Sequence, residues 1–179
     1  MTINETERET PGRFIRFMQW MMPKGQRSYV WLYRKLNGRF VDRATGGLPV
    51  ALVTSRGRRT GKLRTVPLGH MLVGDDVLVA GTNGGLPRVP DWVHNLRAHP
   101  EAEIQVRSEC FLARVEFLEG EEYTRQWAEL VARYPIYDMA RRYAGRKIPL
   151  VLLRRNKRYL PQSKLWTQFR SKLRRMYPL

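Results

Sequence analysis

Cysteine is nearly absent from this chain. Among 179 residues only Cys110 carries a thiol, so an internal disulfide framework is excluded and apolar burial has to hold the fold. Histidine is almost as scarce. His70, His94 and His99 share no ligand spacing with one another or with Cys110, and nothing reads as a metal site. Structural roles are expected for the three histidines, and a core position for Cys110. No apolar run approaches the roughly 18 residues that span a bilayer. The opening Thr2–Thr10 is polar and mostly acidic rather than an apolar leader. These absences predict a cytoplasmic protein, or one peripheral on the inner face of a membrane. Acidic residues stop altogether after Asp138, while Lys and Arg continue to Arg175.

What is abundant is positive charge: 33 Lys and Arg against 16 Asp and Glu, a net +17. Such a balance calls for an anionic partner, which could be a nucleic acid, an anionic lipid surface or a highly charged small molecule. Composition does not choose among them. A hydrophobic content of 42% argues for a folded domain and against disorder.

Hydrophobic periodicity divides the chain into three parts. Residues 1–47 are helical: Phe14, Phe17, Met18 and Met21 recur at helical spacing after Thr10-Pro11, and a second helix is expected over Ser28–Leu36. Two readings stand for this segment, packing on the core or lying on a membrane surface. Residues 48–153 alternate short strands with few helices. Strands are expected at Val50–Ser55, Arg64–Val73, Asp76–Gly81, Ala102–Arg107, Phe111–Phe117 and Ile148–Leu153. Helices are expected at Asp91–Ala98, at Glu121–Arg133, and beyond Pro135 to about Tyr143. Ala102, Ile104, Val106, Phe111, Ala113, Val115 and Phe117 alternate as inward positions. The pattern is that of an α+β protein built on a small antiparallel β-barrel. Residues 154–179 form a basic amphipathic tail with an apolar stripe of Leu165, Trp166, Phe169, Leu173 and Met176. It suits docking on the protein itself, an anionic lipid surface or, least well, a nucleic acid.

The most informative stretch is Val50–Asn95. Its first loop places Arg56, Arg58, Arg59, Lys62 and Arg64 within nine positions, spaced by Gly57 and Gly61. Glycine lets backbone N–H groups converge on an anion, and arginine adds forked charge-assisted donors. A P-loop is excluded, because Gly57 and Gly61 are one residue too close and Leu63 stands where a hydroxyl should hold magnesium. No G-x-G-x-x-G follows a strand, and Ser55 lacks the setting of a nucleophilic serine. A second glycine loop, Gly81-Thr82-Asn83-Gly84-Gly85, leads to the short helix opened by Pro90-Asp91. Anion donors, glycines and aromatics without acid–base groups suit an enzyme whose coenzyme performs the chemistry.

The order and spacing of several pieces resemble the deazaflavin-dependent nitroreductase family, the split β-barrel reductases that use coenzyme F420. The pieces are Thr54–Gly61 continuing to Arg64 and Pro67, then Thr82–Gly85, Pro90–Leu96 with His99-Pro100, Tyr134-Pro135-Ile136-Tyr137, and Arg146-Lys147-Ile148-Pro149. The resemblance runs from about Leu48 to Leu152. It implies that Arg58, Arg59, Lys62 and Arg64, with Thr60, Gly61 and Pro67, hold the phosphate and acidic tail of F420. The backbone of Ala80, Gly81, Thr82, Asn83, Gly84 and Gly85 would line its ring, with Thr82 beside the reacting face. Trp92 and Asn95 would close the pocket, and Tyr134 and Tyr137 would shape the acceptor site. Two departures stand out. Ala140 replaces a third tyrosine, and Asn83 replaces a lysine, of the nitroimidazole-reducing member. They put that reaction in doubt without touching coenzyme binding.

The resemblance therefore implies hydride transfer from reduced F420 to a small electron-poor acceptor, a quinone or a nitro compound, by a monomer or homodimer. Three rivals are a split-barrel oxidoreductase using flavin mononucleotide (FMN), a non-catalytic F420 carrier, and a basic nucleic-acid-binding protein. The last finds no helix-turn-helix, OB or RRM pattern to support it, and no nucleic-acid partner is expected.

Overall fold

The computed structural model describes residues 25–43 and 47–156. The apolar pattern at Phe14–Met21 and the tail from Lys157 lie outside them. Helix α1 occupies 25–35, starting three residues earlier than the spacing suggested. It ends at Asn37 and Gly38, both with positive φ. Only glycine suits position 38, because a Cβ there would lie 2.8 Å from the Arg107 Cα.

Six strands follow: β1 (Val50–Arg56), β2 (Leu63–Val73), β3 (Asp76–Ala80), β4 (Glu101–Val106), β5 (Glu109–Phe117) and β6 (Leu150–Arg155). All pairs are antiparallel, and the order β1-β2-β3-β6-β5-β4 closes through β1 and β4 into a barrel. Closure leaves no free edge among these strands. Helix α2 (Asp91–Ala98) joins β3 to β4, while α3 (Gly120–Arg133) and α4 (Ile136–Ala144) join β5 to β6.

The barrel carries two apolar layers. Ala51, Val53, Val77, Val79, Ile104, Phe111, Val151 and Leu153 fill its inside, and Trp92, Val93 and Leu96 of α2 join that core. On the outside, Met71, Leu78, Ala80, Leu150 and Leu152 pack under Trp127, Leu130, Tyr137 and Ala144 of α3 and α4. Val50 and Leu52 pack under Tyr33 of α1. Strands buried on both faces read as continuous apolar runs rather than alternation, which explains Val50-Ala51-Leu52-Val53 and Leu150-Val151-Leu152-Leu153. The Tyr33 hydroxyl pins α1 to the barrel, donating to the Val50 carbonyl at 2.8 Å and accepting from the Arg107 N–H at 2.9 Å.

The inward alternation extends to Val106 and Phe117, which pack half-buried against the inner cluster at the ends of their strands. Cys110 needs correction: it is half-buried, not in the core. It pairs with Gln105, which pairs with Leu52, so all three point outward, and the barrel's interior goes to Phe111 instead.

His70 lies opposite Val79 and is 3% exposed. Burial pushes its pKa down to about 4, so it is neutral in the fold. The unfolded chain binds this proton near pH 6.5, so stability is full above that pH and falls as the pH drops toward 4, by at most about 3 kcal/mol. Urea unfolding of His70→Gln should show a flatter dependence than the parent across that window. Parallel curves would remove His70 as the cause.

Candidate functional site

The loop between β1 and β2 is a tight backbone turn. The Gly57 N–H donates to the Lys62 carbonyl at 2.9 Å, and the Gly61 N–H to the Gly57 carbonyl at 2.8 Å, with Gly61 at φ 68. Thr60 adds a longer contact, its hydroxyl accepting from the Lys62 N–H at 3.4 Å. With the backbone turned in on itself, Arg56, Arg58, Arg59, Lys62 and Arg64 all project to solvent. Among the described residues only Arg58 of the five meets a carboxylate, Asp91 at 3.5 Å. Four cations held together without a counter-ion form a strong anion-attracting end.

The same loop is tied to α2. The Arg58 N–H donates to the Asn95 side-chain carbonyl at 3.1 Å, and Asp91, the first residue of α2, bridges Arg58 and Arg88, the latter at 2.7 Å. Partial burial works against ionisation of Asp91, but the two guanidiniums hold its carboxyl below the usual range. Both loops therefore meet at the N-terminus of α2, where the helix dipole adds positive potential. A groove of about 380 Å³ lined by Asn83, Leu86, Pro87, Arg88, Pro90 and Asp91 opens beside it.

From this end an open strip runs along the outside of β2. Thr65, Pro67 and Gly69 share the outer face, since alternate residues of a strand point the same way. Arg34 of α1 donates to the Thr65 hydroxyl at 3.2 Å, and Thr65 in turn bonds Thr54 at 2.9 Å. At the far end Tyr137 of α4 reaches over Gly69: a Cβ there would lie 2.9 Å from the Tyr137 hydroxyl oxygen and 2.8 Å from Leu48 Cγ. Ala80 of β3 is Gly69's neighbour, since the pairs run Met71–Leu78 and His70–Val79. Pro67, Ala80 and Tyr137, distant in sequence, are thus drawn onto one surface.

Gly69→Ala tests that packing. The new methyl must displace Leu48 and Tyr137, and a stability loss of about 1–3 kcal/mol is expected in urea titration. The loss should shrink in a Leu48→Ala background, because the two sites share one space. Additive effects would show that Leu48 yields freely.

The second loop is shaped by left-handed backbone at Asn83 (φ 53), Gly84 (φ 63) and Gly85 (φ 80). A Cβ on Gly85 would sit 3.1 Å from Tyr143 Cβ of α4. The Gly81 N–H donates to the Pro149 carbonyl at 2.8 Å. Thr82 starts the short 3-10 turn Asn83–Gly85 and makes no side-chain cap bond, while the Asn83 amide donates to the Arg88 carbonyl at 3.0 Å.

Several expected residues therefore converge: Arg58 through Arg64 with Pro67, and Ala80 through Gly85 with Tyr137. Tyr134 is half-buried against the outer apolar layer. Trp92 and Asn95 point the other way. Trp92 is 7% exposed within the barrel core and Asn95 is 6% exposed behind Arg58. Sequence spacing did not single out Arg34, Thr65, Gly69 or Asp91. Arg146 stood within a recognised motif without a role; it inserts beneath the second loop, bonding Gly81, Thr82, Leu86, Pro87 and Arg88 carbonyls.

The family model for F420H(2)-dependent quinone reductases matches residues 25–155. The chain belongs to that family. It is 34% identical over 130 residues to an F420H(2)-dependent quinone reductase of Mycobacterium tuberculosis, covering 69% of this chain and 85% of the relative. Among solved structures, an F420-H2 dependent reductase superposes with a TM-score of 0.55 at 30% identity, covering 59% of this chain and 93% of that one. A second, described as a domain-swapped dimer, gives a TM-score of 0.55 at 28% identity over 70% of this chain and 98% of its own. The split-barrel fold of the family is thus the fold of this chain, with α1 included in the matched region.

Proposed function

We propose that this chain binds reduced coenzyme F420 along the outer faces of β2 and β3 and passes its hydride to a small, planar, electron-poor acceptor, a quinone in the first instance. The observation that carries the reading is one surface with Arg56, Arg59, Lys62 and Arg64, which meet no carboxylate among the described residues, at one end and the Tyr137 hydroxyl, Gly69 and Ala80 at the other. A long molecule that is polyanionic at one end and flat at the other fits it.

The coenzyme, when bound, supplies the hydride from its reduced ring. The protein does the rest. Arg58, Arg59, Lys62 and Arg64 offer forked and point-charge donors to phosphate and carboxylate groups. Ala80, Gly81 and Thr82 present backbone rather than bulky side chains to a ring. Burial pushes the Tyr137 phenol well above its ordinary pKa, so it stays protonated and donates a hydrogen bond to an acceptor oxygen, with Tyr134 shaping the same side. One hydride and one proton together reduce a quinone to the quinol. With Ala140 in place of a third phenol, nitroimidazole reduction is weak or absent.

Fluorescence-quench titration with oxidised F420 and, separately, with flavin mononucleotide tests the coenzyme. Selective F420 binding followed by menadione turnover supports the reading. Preference for flavin mononucleotide moves the protein to flavin chemistry, and binding without turnover on any acceptor makes it a carrier.

The finer placement, peripheral contact with an anionic membrane, draws support from the net charge of +17 and from exposed Trp31, Leu32 and Phe40 beside Lys35 and Arg39. Among the described residues no helix is long and apolar enough to cross a membrane. Failure to co-sediment with anionic vesicles at low salt would remove this placement.

A further inference from the structure

Arg146 makes an unusual set of contacts. Its Nη2 donates to the carbonyls of Gly81 (2.9 Å), Thr82 (3.3 Å), Leu86 (3.3 Å) and Arg88 (3.2 Å). Its Nε donates to Pro87 at 2.8 Å and its Nη1 to Lys147 at 3.4 Å. Five carbonyls of one eight-residue loop thus converge on one guanidinium, sharing its hydrogens in three-centre bonds. Among the described residues its polar partners are all backbone carbonyls, and none of the ion pairs includes it. Clustered carbonyl dipoles repel one another unless a cation sits among them, and a planar fork of five N–H donors suits that task where a lysine ammonium does not.

The loop it organises carries the run of left-handed backbone from Asn83 to Gly85 and follows directly on β3, which ends at Ala80. Among the described hydrogen bonds the carbonyls of Leu86 and Pro87 meet Arg146 alone, while the Arg88 carbonyl also accepts from the Asn83 side-chain amide at 3.0 Å. We propose that Arg146 is the positioning residue for the coenzyme site: by drawing these carbonyls inward it sets the path of Gly81 and Thr82 and so presents a preformed surface to the deazaflavin ring. This rests on the reading that Ala80–Gly85 lines the ring. Arg146 touches loop backbone, not reactants, so its removal acts on coenzyme recognition ahead of the chemical step.

The test uses the full chain with R146K and R146A, each measured for oxidised-F420 affinity by fluorescence quench, for KM and kcat with F420H2 and menadione, and for thermal stability. In R146A the KM for F420H2 and the dissociation constant should rise about ten-fold or more, with kcat changing less and the menadione KM staying within about two-fold. R146K, which keeps the charge but loses the fork, should resemble R146A in KM while remaining folded. Guanidinium chloride at roughly 30 mM, far below denaturing concentrations, should recover much of the affinity of R146A and leave the parent unchanged. A folded R146K whose KM for F420H2 stays within about two-fold of the parent overturns the proposal, as does a loss of melting temperature without any change in KM. Should the parent itself fail to bind F420, the functional reading falls; should only the variants match the parent, this inference falls alone.

Discussion

Trp92→Ala is expected to lower the free energy of unfolding by about 3–5 kcal/mol, the range for deleting a large buried aromatic. The indole is 7% exposed and packs in the barrel core with Val93 and Leu96, so α2 seals the barrel through these side chains. Truncation opens a cavity that the closed barrel cannot collapse to fill, since its strands are held by hydrogen bonds on both sides. The measurement is urea unfolding followed by far-UV circular dichroism. The alternative, in which Trp92 forms the wall of the coenzyme pocket, predicts the reverse pattern: little stability change and a large loss of F420 affinity. A destabilisation under about 1 kcal/mol would sink the core assignment.

Neutralising Arg59, Lys62 and Arg64 together, each to Gln, is expected to weaken F420 binding by about 100-fold or more. Each lost charge-assisted hydrogen bond is worth about 1.5–3 kcal/mol, and three on one ligand are not fully additive. Stability should stay within about 0.5 kcal/mol of the parent, because none of the three meets a carboxylate among the described residues and the exposed side chains bury little. Raising ionic strength from about 50 to about 500 mM should weaken coenzyme binding by the parent far more than by the variant. Quench titration at both salt concentrations reads all of this. A dissociation constant within about three-fold of the parent would move the anionic end of the coenzyme elsewhere, with Arg34 and Arg56 the next residues to examine.

Much of the architecture was legible in the chain. β2 and β3, joined at Gly74-Asp75, follow from apolar runs flanking a turn dipeptide. Pro90 and Pro135 mark where α2 and α4 begin, and Gly145 in the left-handed region ends α4. The basic loop announced its charge through composition alone. The strand ends were less legible. Val106 and Phe117 continue the alternation of their strands, yet they fall where the barrel stops covering its contents. Cys110 misled for a related reason: neighbouring strand positions face opposite sides, and a single apolar-looking residue does not say which side is the interior.

What the sequence by itself determined is local: the period of each strand and helix, the turns, the cluster of cations between Arg56 and Arg64, and the exclusion of an internal disulfide by a single cysteine. These follow from backbone sterics, side-chain patterning and charge, which act over a few residues. Tertiary structure alone decided the remainder. It turned Trp92 and Asn95 inward from a helix of only eight residues, set the Tyr137 hydroxyl over Gly69, and brought Arg146 to Gly81 across 65 positions. Those contacts depend on how the barrel closes and where α4 settles on its outer layer, and no spacing between residues so far apart encodes a distance in space.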